Sequence, residues 1–243
     1  MMYVIAGFAI WVLGWLVNLY FANSKWSDTR AMTLAIPLIF GLTVLLVWEC
    51  FVIGFEVNPV FLPRPSDILL RMAIEMPRLW ADFVQTIIKG ALTGYILGAL
   101  AAFAIAVLAD RSEFLTRGVL PVGSFMAALP IVGIAPIFVK WFGSDWESKA
   151  AVVAVMVFFP ILVNVVAGMR DTTSMQRDLM RTYGAGYWPT LLKLRLPAAM
   201  PFIFNGLKVA TTLSLIGAIV AEFFGSPTVG MGFRISTSFG QLA

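Results

Sequence analysis

The sequence predicts an all-α membrane protein, a polytopic bundle of about six transmembrane helices. Of its 243 residues, 60% are hydrophobic and only 12% are charged, whereas a soluble domain carries about a quarter charged residues. The mean hydropathy is +0.90. The apolar residues are also gathered into runs of the roughly 20 residues that a helix needs to cross a bilayer. A chain of this kind buries its apolar surface in lipid.

Six segments have the length and composition of a membrane span. They cover, in order, residues 2–22, 33–55, 86–109, 119–142, 150–169 and 201–224. The first lacks the basic n-region and the small-residue cleavage site of a secretory signal, so we expect a retained helix. Pro121, Pro130 and Pro136 in the fourth predict a bent or interrupted helix packed against protein. After the second span, FLPRPSDILLRM predicts an extended stretch and then a helix with Ser66 as its N-cap.

Gly90, Gly94 and Gly98 form a GxxxGxxxG run in the third span. Small residues at this spacing let two membrane helices approach closely. We therefore predict a close-packing face on this helix, for which the sequence names no partner.

The distribution of Lys and Arg predicts the orientation, because cytoplasmic connections carry an excess of both. One alternating set of connections is the richer, and its last member contains Arg170, Arg177, Arg181, Lys193 and Arg195. This bias places the last connection in the cytoplasm. It places the amino terminus and the 56–85 connection on the outer side.

The composition excludes several functions. The chain contains no histidine, which is the commonest metal ligand and general base, and no metal site is predicted. The single cysteine, Cys50, excludes an internal disulfide framework. No Walker A loop, HExxH or GxSxG occurs, so we expect no enzyme activity and no ATP hydrolysis by this chain. A net charge of +4, spread over the connections, gives no support for nucleic-acid binding.

The segment DLMRTYGAGYWPTLLKLRLP, residues 178–197, is a polar and basic connection between apolar spans. Its charged residues are Asp178, Arg181, Lys193 and Arg195. Such a group is costly in hydrocarbon, so the segment must lie outside it. Gly184-Ala185-Gly186 predicts a kink between two short helices that meet at an angle, a shape suited to docking onto another protein. The alternative is an amphipathic loop that rests on the membrane surface.

This segment resembles the cytoplasmic EAA loop of ABC-importer permeases. In that pattern an acidic residue and two small residues precede a glycine, and an apolar-x-Leu-Pro sequence ends the loop. Asp178 matches the acidic position and Gly184 the glycine. Leu179 and Met180 replace the small pair, and the ending is formed by Leu194, Leu196 and Pro197. The runs ALPIVGIAPIFVKWFG, FFPILVNVVAGMR, LPAAMPFIFNGLKVA and IGAIVAEFFG are similar to the nitrate/sulfonate/taurine-type branch of these permeases.

The resemblance implies a type I ABC importer transmembrane domain over residues 81–243, with its coupling loop at 171–197. Ahead of it we expect an extra amino-terminal transmembrane helix and a short cytoplasmic loop over residues 1–30. A second transmembrane helix and a periplasmic connection would occupy residues 31–80. Related permeases continue into one more membrane helix after GMGFRISTSFGQLA, so we expect the last helix to be missing through truncation.

The resemblance also implies a permease of a bacterial inner-membrane importer. The expected partners are a cytoplasmic ABC ATPase dimer, an extracytoplasmic solute-binding protein, a second permease copy in a homodimer or a related pair, and the lipid bilayer. ATP and Mg²⁺ would belong to the ATPase, and no cofactor is expected on this chain. The solute would be a small anion or small organic molecule, such as nitrate, a sulfonate or a pyrimidine-like vitamin precursor.

The residues expected to couple the loop to the ATPase are Asp178, Met180, Arg181, Gly184, Ala185, Tyr187, Trp188, Leu196 and Pro197. Tyr187 and Trp188 would supply apolar anchors, as aromatic residues often do at interfaces. Glycine at position 184 would let the two backbones approach closely.

Three polar residues in the spans are candidates for gating or for the solute path: Glu222, Asn164 and Asn205. The asparagines are more simply explained by hydrogen bonds between helices. Interfacial water or the backbone amides near Gly225 are the simpler partners for Glu222.

Two other function classes remain open. An ion-gradient-driven secondary transporter would place acids at mid-membrane beside broken helices, whereas Glu49 and Glu222 lie toward the ends of their spans. A structural membrane subunit that transports nothing would differ from a permease in that no transport would depend on the loop.

Overall fold

The computed structural model describes residues 1–25, 27, 29–112, 118, 121–122, 130–225 and 228–240. Within these ranges the regular structure is helical throughout, as the fold-class prediction states. The helices are α1 Met2–Ala22, α2 Arg30–Gly54, α3 Pro65–Ile74, α4 Met76–Asp110, α5 Ile131–Phe142, α6 Trp146–Arg170, α7 Ser174–Thr182, α8 Tyr187–Phe224 and α9 Met231–Gly240.

Five of these helices are long and apolar enough to cross a membrane, namely α1, α2, α4, α6 and α8. They confirm five of the six predicted spans. The remaining prediction, residues 119–142, is described only at 121–122 and 130–142. Its described end is α5, which begins directly after Pro130 and contains Pro136.

Two spans begin ten residues or more before the position that hydropathy predicts. α4 begins at Met76 rather than Thr86, and α8 begins at Tyr187 rather than Pro201. Both added stretches contain charged residues, which lower the mean hydropathy. The predicted span therefore starts too late in the chain. Each also runs into a segment of π-helical hydrogen bonding, Val84–Leu92 or Leu191–Arg195. The second helix of the predicted kinked pair is therefore not short but continuous with the last long span.

The chain divides into two compact units, residues Met1–Pro77 and Arg78–Ala243. In the first unit α1 packs antiparallel to α2. Gly7 lies beside Cys50 and Phe51, and Gly54 lies beside Val4. The missing glycine side chains thus allow the two backbones to approach closely.

The predicted N-cap of α3 is wrong. The helix begins at Pro65 with Arg64 at the N-cap, so Ser66 already lies in the first turn. Its hydroxyl donates to Glu49 Oε1 over 2.7 Å, and its backbone N–H donates to Glu49 Oε2 over 3.0 Å. The carboxylate of a neighbouring helix therefore does what the serine was expected to do, since it accepts from an otherwise unpaired amide. Glu49 thus joins α2 to α3.

In the second unit α6 lies between α4 and α8 and is the most deeply buried of the long helices. Its core side chains include Val153, Val157, Ile161, Leu162 and Val165. The predicted glycine face of α4 packs against this helix. A Cβ at Gly94 would lie 2.6 Å from Val153 Cβ, and one at Gly98 would lie 2.5 Å from Val157 Cγ2. Ala102 and Ala106 continue the face, both fully buried.

We expect Gly98→Ala to destabilise the protein. The new methyl group would meet both Val157 and the backbone of Ala154, and overpacking of this kind costs about 1–3 kcal/mol. The matched control is Gly41→Ala in α2, where a Cβ meets nothing within 4 Å. Thermal unfolding of the purified protein in detergent, followed by tryptophan fluorescence, should show a lower Tm for Gly98→Ala alone. Equal Tm values for the two variants would contradict close packing at this face.

Candidate functional site

The predicted coupling loop opens with a well-capped helix, α7. Thr173 and Gln176 form a capping box: the threonine hydroxyl accepts from Gln176 N–H over 3.2 Å, and the glutamine side chain accepts from Thr173 N–H over 2.9 Å. These bonds satisfy two of the amides that a helix start leaves unpaired. The first turn is thus held by its own sequence rather than by tertiary packing.

The other end of α7 requires a glycine. Gly184 has a φ of +66°. Its N–H donates to Arg181 O and the N–H of Ala185 donates to Met180 O, both over 2.9 Å. This is the Schellman arrangement, in which a left-handed residue just past the helix end completes the last carbonyl bonds. A Cβ at this position would meet open space, so the backbone conformation, not crowding within the chain, calls for glycine.

No α7 residue is buried. Met175, Leu179 and Tyr183 are exposed and spaced four residues apart, so they share one face. We call them the α7 apolar stripe. Asp178 and Arg181 form an ion pair of 3.4 Å beside it.

The remaining residues of the predicted coupling set are half-buried or exposed. Met180 and Ala185 are half-buried. Leu196 is half-buried and Pro197 is exposed, and both lie at the start of the α-helical part of α8.

The structure gives the two predicted aromatic anchors different positions. Tyr187 packs against the core of the second unit, and its hydroxyl donates to Val107 O in α4 over 3.2 Å. The guanidinium of Arg111 lies 4.5 Å from the ring centre of Tyr187 and 4.9 Å from that of Trp188. Trp188 remains exposed. Tyr187 is therefore an internal support of the loop, whereas Trp188 is available to a partner.

An ion pair holds the start of α8 to the end of α4. Arg195 Nη1 lies 2.7 Å from Asp110 Oδ1 and 2.6 Å from Asp110 Oδ2. The side chains are only 23% and 8% exposed. We call this pair, together with the bond from Tyr187 to Val107, the α4–α8 bracket.

The opposite end of the second unit holds Glu222, which is only 2% exposed. It accepts from the Thr86 hydroxyl over 2.8 Å and from Gly232 N–H over 2.7 Å. The expectation of interfacial water is therefore wrong. The prediction of an amide near Gly225 is also wrong, because the amide bonded to Glu222 is that of Gly232 in the first turn of α9.

Two more side chains complete this arrangement at the start of α9. Asp82, 1% exposed, accepts from Gly230 N–H over 2.7 Å and from Arg234 Nε over 2.7 Å. Thr86 Oγ1 accepts from Met231 N–H over 2.8 Å. The first amides of α9 are therefore paired with side chains of α4 and α8. Carboxylates are favourable there because a helix N-terminus carries partial positive charge. We call Asp82, Thr86 and Glu222 the α9 clamp.

The first turn of α6 lies near the clamp. Lys149 is buried and donates to the carbonyls of Ser144 and Asp145. The Asp145 carboxylate accepts from the Gln85 amide over 3.1 Å and from Trp146 N–H over 2.7 Å. These hydrogen bonds, that from Gln85 foremost, hold the pKa of Asp145 below its ordinary value.

The two asparagines bond to one another. Asn205 Nδ2 donates to Asn164 Oδ1 over 3.1 Å, and Asn164 Nδ2 donates to Pro160 O over 2.8 Å. This contact joins α8 to α6, as the interhelical explanation predicts.

Sequence reasoning missed Asp82, Asp110 and Arg234, although their positions carry a signal. Asp82 and Asp110 lie near opposite ends of α4, and Arg195 and Arg234 lie near the start and beyond the end of α8. Opposite charges at matching ends of two spans indicate pairing, because charges near a membrane rarely remain unpaired.

The fold and the site together define a helical membrane protein with an exposed loop that is capped at both ends of α7. The chain belongs to the family described as binding-protein-dependent transport system inner membrane component, whose model matches residues 94–242. It is an ABC importer permease of the nitrate/sulfonate/taurine branch, a multi-pass inner-membrane protein and not itself an enzyme. Permeases of this family act with an ATPase and a binding protein.

Curated relatives cover most of the chain. It is 31% identical to the formylaminopyrimidine transport permease of Halalkalibacterium halodurans, over 84% of this chain and 82% of the relative. It is 29% identical to the riboflavin transport permease of Chloroflexus aurantiacus, over 81% and 74%. It is 30% identical to a putative aliphatic sulfonates transport permease of Bacillus subtilis, over 79% and 70%.

We expect Asp110→Asn to lower the Tm, whereas Asp178→Asn leaves it unchanged. Loss of one partner from a largely buried ion pair is costly, up to about 3–5 kcal/mol. An exposed pair such as Asp178–Arg181 contributes about 0–1 kcal/mol. Thermal unfolding of the two variants in detergent tests the difference. If both variants unfold at the wild-type temperature, the bracket does not contribute to stability.

We expect Glu222→Gln to loosen the first turn of α9. One end of the new amide cannot accept a hydrogen bond, so Thr86 or Gly232 loses its acceptor at a cost of about 1–3 kcal/mol. Hydrogen–deuterium exchange should be faster over residues 230–233 than in wild type. Glu147→Gln, at an exposed position of α6, is the control and should leave these amides protected. If exchange in Glu222→Gln equals that of wild type, Glu222 does not hold the first turn of α9.

Proposed function

We propose that this chain passes a small solute, delivered by an extracytoplasmic binding protein, and that residues 178–197 couple it to cytoplasmic ATPases. The α7 apolar stripe is the observation that supports this proposal. Met175, Leu179 and Tyr183 are large apolar side chains exposed on one face of a polar loop. A helix that presents such a row is suited to a hydrophobic groove on another protein.

The loop also has the rigidity that coupling requires. α7 is capped at both ends by its own residues, so it would move as a unit. Closure of an ATPase dimer on ATP would displace α7, and Tyr187 and Arg195 would carry that displacement to α4 as well as to α8. A movement at the surface would thus reach two spans at once. Trp188 and the exposed Asp178–Arg181 pair would lie at the edge of the contact.

The remaining parts of the proposal concern the partners. The excess of Lys and Arg supports a cytoplasmic position for the loop. Two ATPase subunits would each need one such loop, which supports a second permease copy, identical or related. ATP and Mg²⁺ would bind to the ATPase, and this chain would bind no cofactor.

The buried carboxylates do not support an ion-driven transporter. Asp82 and Glu222 already accept from backbone amides, and from Arg234 and Thr86 respectively. Both lie at one end of the bundle rather than beside a break at mid-membrane, where coupling ions bind in such transporters.

We expect Leu179→Glu to abolish association with the ATPase while the chain still inserts. A carboxylate on the stripe would have to be buried unpaired in the partner groove, which is strongly unfavourable. Stimulation of ATP hydrolysis by loaded binding protein should fall at least about tenfold, the effect of about 1.4 kcal/mol.

The matched control is Ser174→Glu, which adds the same charge in the first turn of α7, away from the stripe and in a position favourable for an acid. Both variants should reach wild-type abundance in the membrane. Normal stimulation in Leu179→Glu at normal abundance would contradict the coupling role of this face.

A further inference from the structure

The short helix α3, Pro65–Ile74, lies between two spans and carries its charges in one narrow row. Asp67, Arg71 and Glu75 are spaced four residues apart, so they share one face of the helix and its cap. We call them the α3 charged row. Ser66 is the other polar residue of the helix, and it is bonded to α2. All remaining α3 residues are apolar, so the helix is amphipathic.

The protein covers only part of the apolar surface of α3. Pro65 is buried and Ile68 is half-buried, so they mark the side that faces the protein. At 3.6 residues per turn, Leu69 and Ala73 lie about 160° around the helix from the α3 charged row. We call Leu69 and Ala73 the α3 apolar face. The exposed apolar residues of the helix are Leu69, Leu70, Met72, Ala73 and Ile74.

Hydrogen bonds to α2 set the level of α3 in the membrane. Both the hydroxyl and the backbone N–H of Ser66 donate to Glu49, so the first turn of α3 lies at the height of Glu49. The stretch of α2 between Arg30 and Glu49 is uncharged and is about 28 Å long at 1.5 Å per residue. A hydrocarbon core is about 30 Å thick. Glu49 and the first turn of α3 therefore lie at the boundary between hydrocarbon and headgroups.

The neighbouring residues support this level. α2 continues beyond Glu49 with the apolar residues Cys50–Gly54, so α3 begins beside the helix end rather than in the water beyond it. Trp48 lies next to Glu49, and tryptophan is enriched at membrane interfaces. The turn before α3 adds Phe61, which is 83% exposed. Exposed apolar residues collected in one place mark a membrane or protein contact.

We infer that α3 is an interfacial helix and that its partner is the phospholipid surface at the carboxyl end of α2. The α3 apolar face contacts acyl chains, and the α3 charged row contacts headgroups and water, as in other amphipathic helices at this level. A soluble partner is the poorer fit because it approaches from the water, where it meets the charges. Since α3 is bonded to Glu49, it also holds the end of α2 at the boundary. This role is additional to the import function and does not depend on it.

The test is the accessibility of spin labels along α3. In a Cys50→Ser background, which lacks the single native cysteine, the variants Leu69→Cys and Ala73→Cys label the α3 apolar face. Asp67→Cys and Arg71→Cys label the α3 charged row. Each full-length chain is reconstituted alone into liposomes of phosphatidylethanolamine and phosphatidylglycerol. Power-saturation EPR then compares collisions with oxygen, which concentrates in the bilayer, and with a nickel chelate, which stays in water.

Two further variants provide the reference values. Leu42→Cys, exposed near the middle of α2, reports lipid, and Ser174→Cys, exposed in the first turn of α7, reports water. We expect the ratio of oxygen to nickel collisions to be several-fold higher at Leu69 and Ala73 than at Asp67 and Arg71. The higher values should approach that of the lipid reference, and the lower ones that of the water reference.

Three results would overturn the inference. Low ratios at all four positions would show that α3 lies in water, with its apolar face free for a soluble partner such as the binding protein. High ratios at all four would place the whole helix in hydrocarbon. Labels on the α3 apolar face that neither reagent reaches would show that protein covers it. That protein is a second copy if dilution with lipid restores the collisions, and another part of the same chain if it does not.

Discussion

The packing of α6 against one small-residue face of α4 is the constraint on which both ends of the second unit depend. Gly94, Gly98, Ala102 and Ala106 recur every four residues along this face, all of them buried. The same spacing reaches Asp110 at the loop end. Because glycine and alanine allow close approach, the rotation of α4 about its own axis is fixed. With that rotation fixed, Asp110 is directed toward Arg195, and the opposite end of the helix meets α9.

An ion pair between α4 and the carboxyl-terminal part of the chain is present at each end of the second unit. At the loop end Asp110 binds Arg195, ahead of the α-helical part of α8, and at the far end Asp82 binds Arg234, beyond it. α4 is thus joined to the carboxyl-terminal part of the chain at both of its ends, to α8 at one and to α9 at the other. These ion pairs add to the packing of α6 between α4 and α8. In the proposed coupling, a displacement of the loop would reach α4 through Arg195 and Asp110.

Features that depend on local composition, such as the long helices, can be predicted from the sequence. Features that depend on contacts between residues far apart in the chain are missed. Hydropathy alone finds the five long helices, and Gly184 with its neighbours finds the end of α7, because a left-handed residue and a polar loop leave local signals. The start of α8 at Tyr187 is missed because Lys193 and Arg195 interrupt the apolar run, although Arg195 is neutralised by Asp110. Glu222 is recognised as unusual, but its partners Thr86 and Gly232 lie on α4 and in the first turn of α9, and only the folded bundle brings them to it.

The pairing of charges distinguishes the cations that hold the bundle together from one that is exposed on α8. Arg195 and Arg234, near the start of α8 and beyond its end, are each held by a carboxylate of α4. Lys208 lies between them in the sequence and has no such partner in the described residues. A lysine in a membrane span is tolerated where its ammonium reaches interfacial water or a polar neighbour. The fold thus neutralises the cations that hold α4 to the carboxyl-terminal helices, and Lys208 is left to be solvated from outside the described residues.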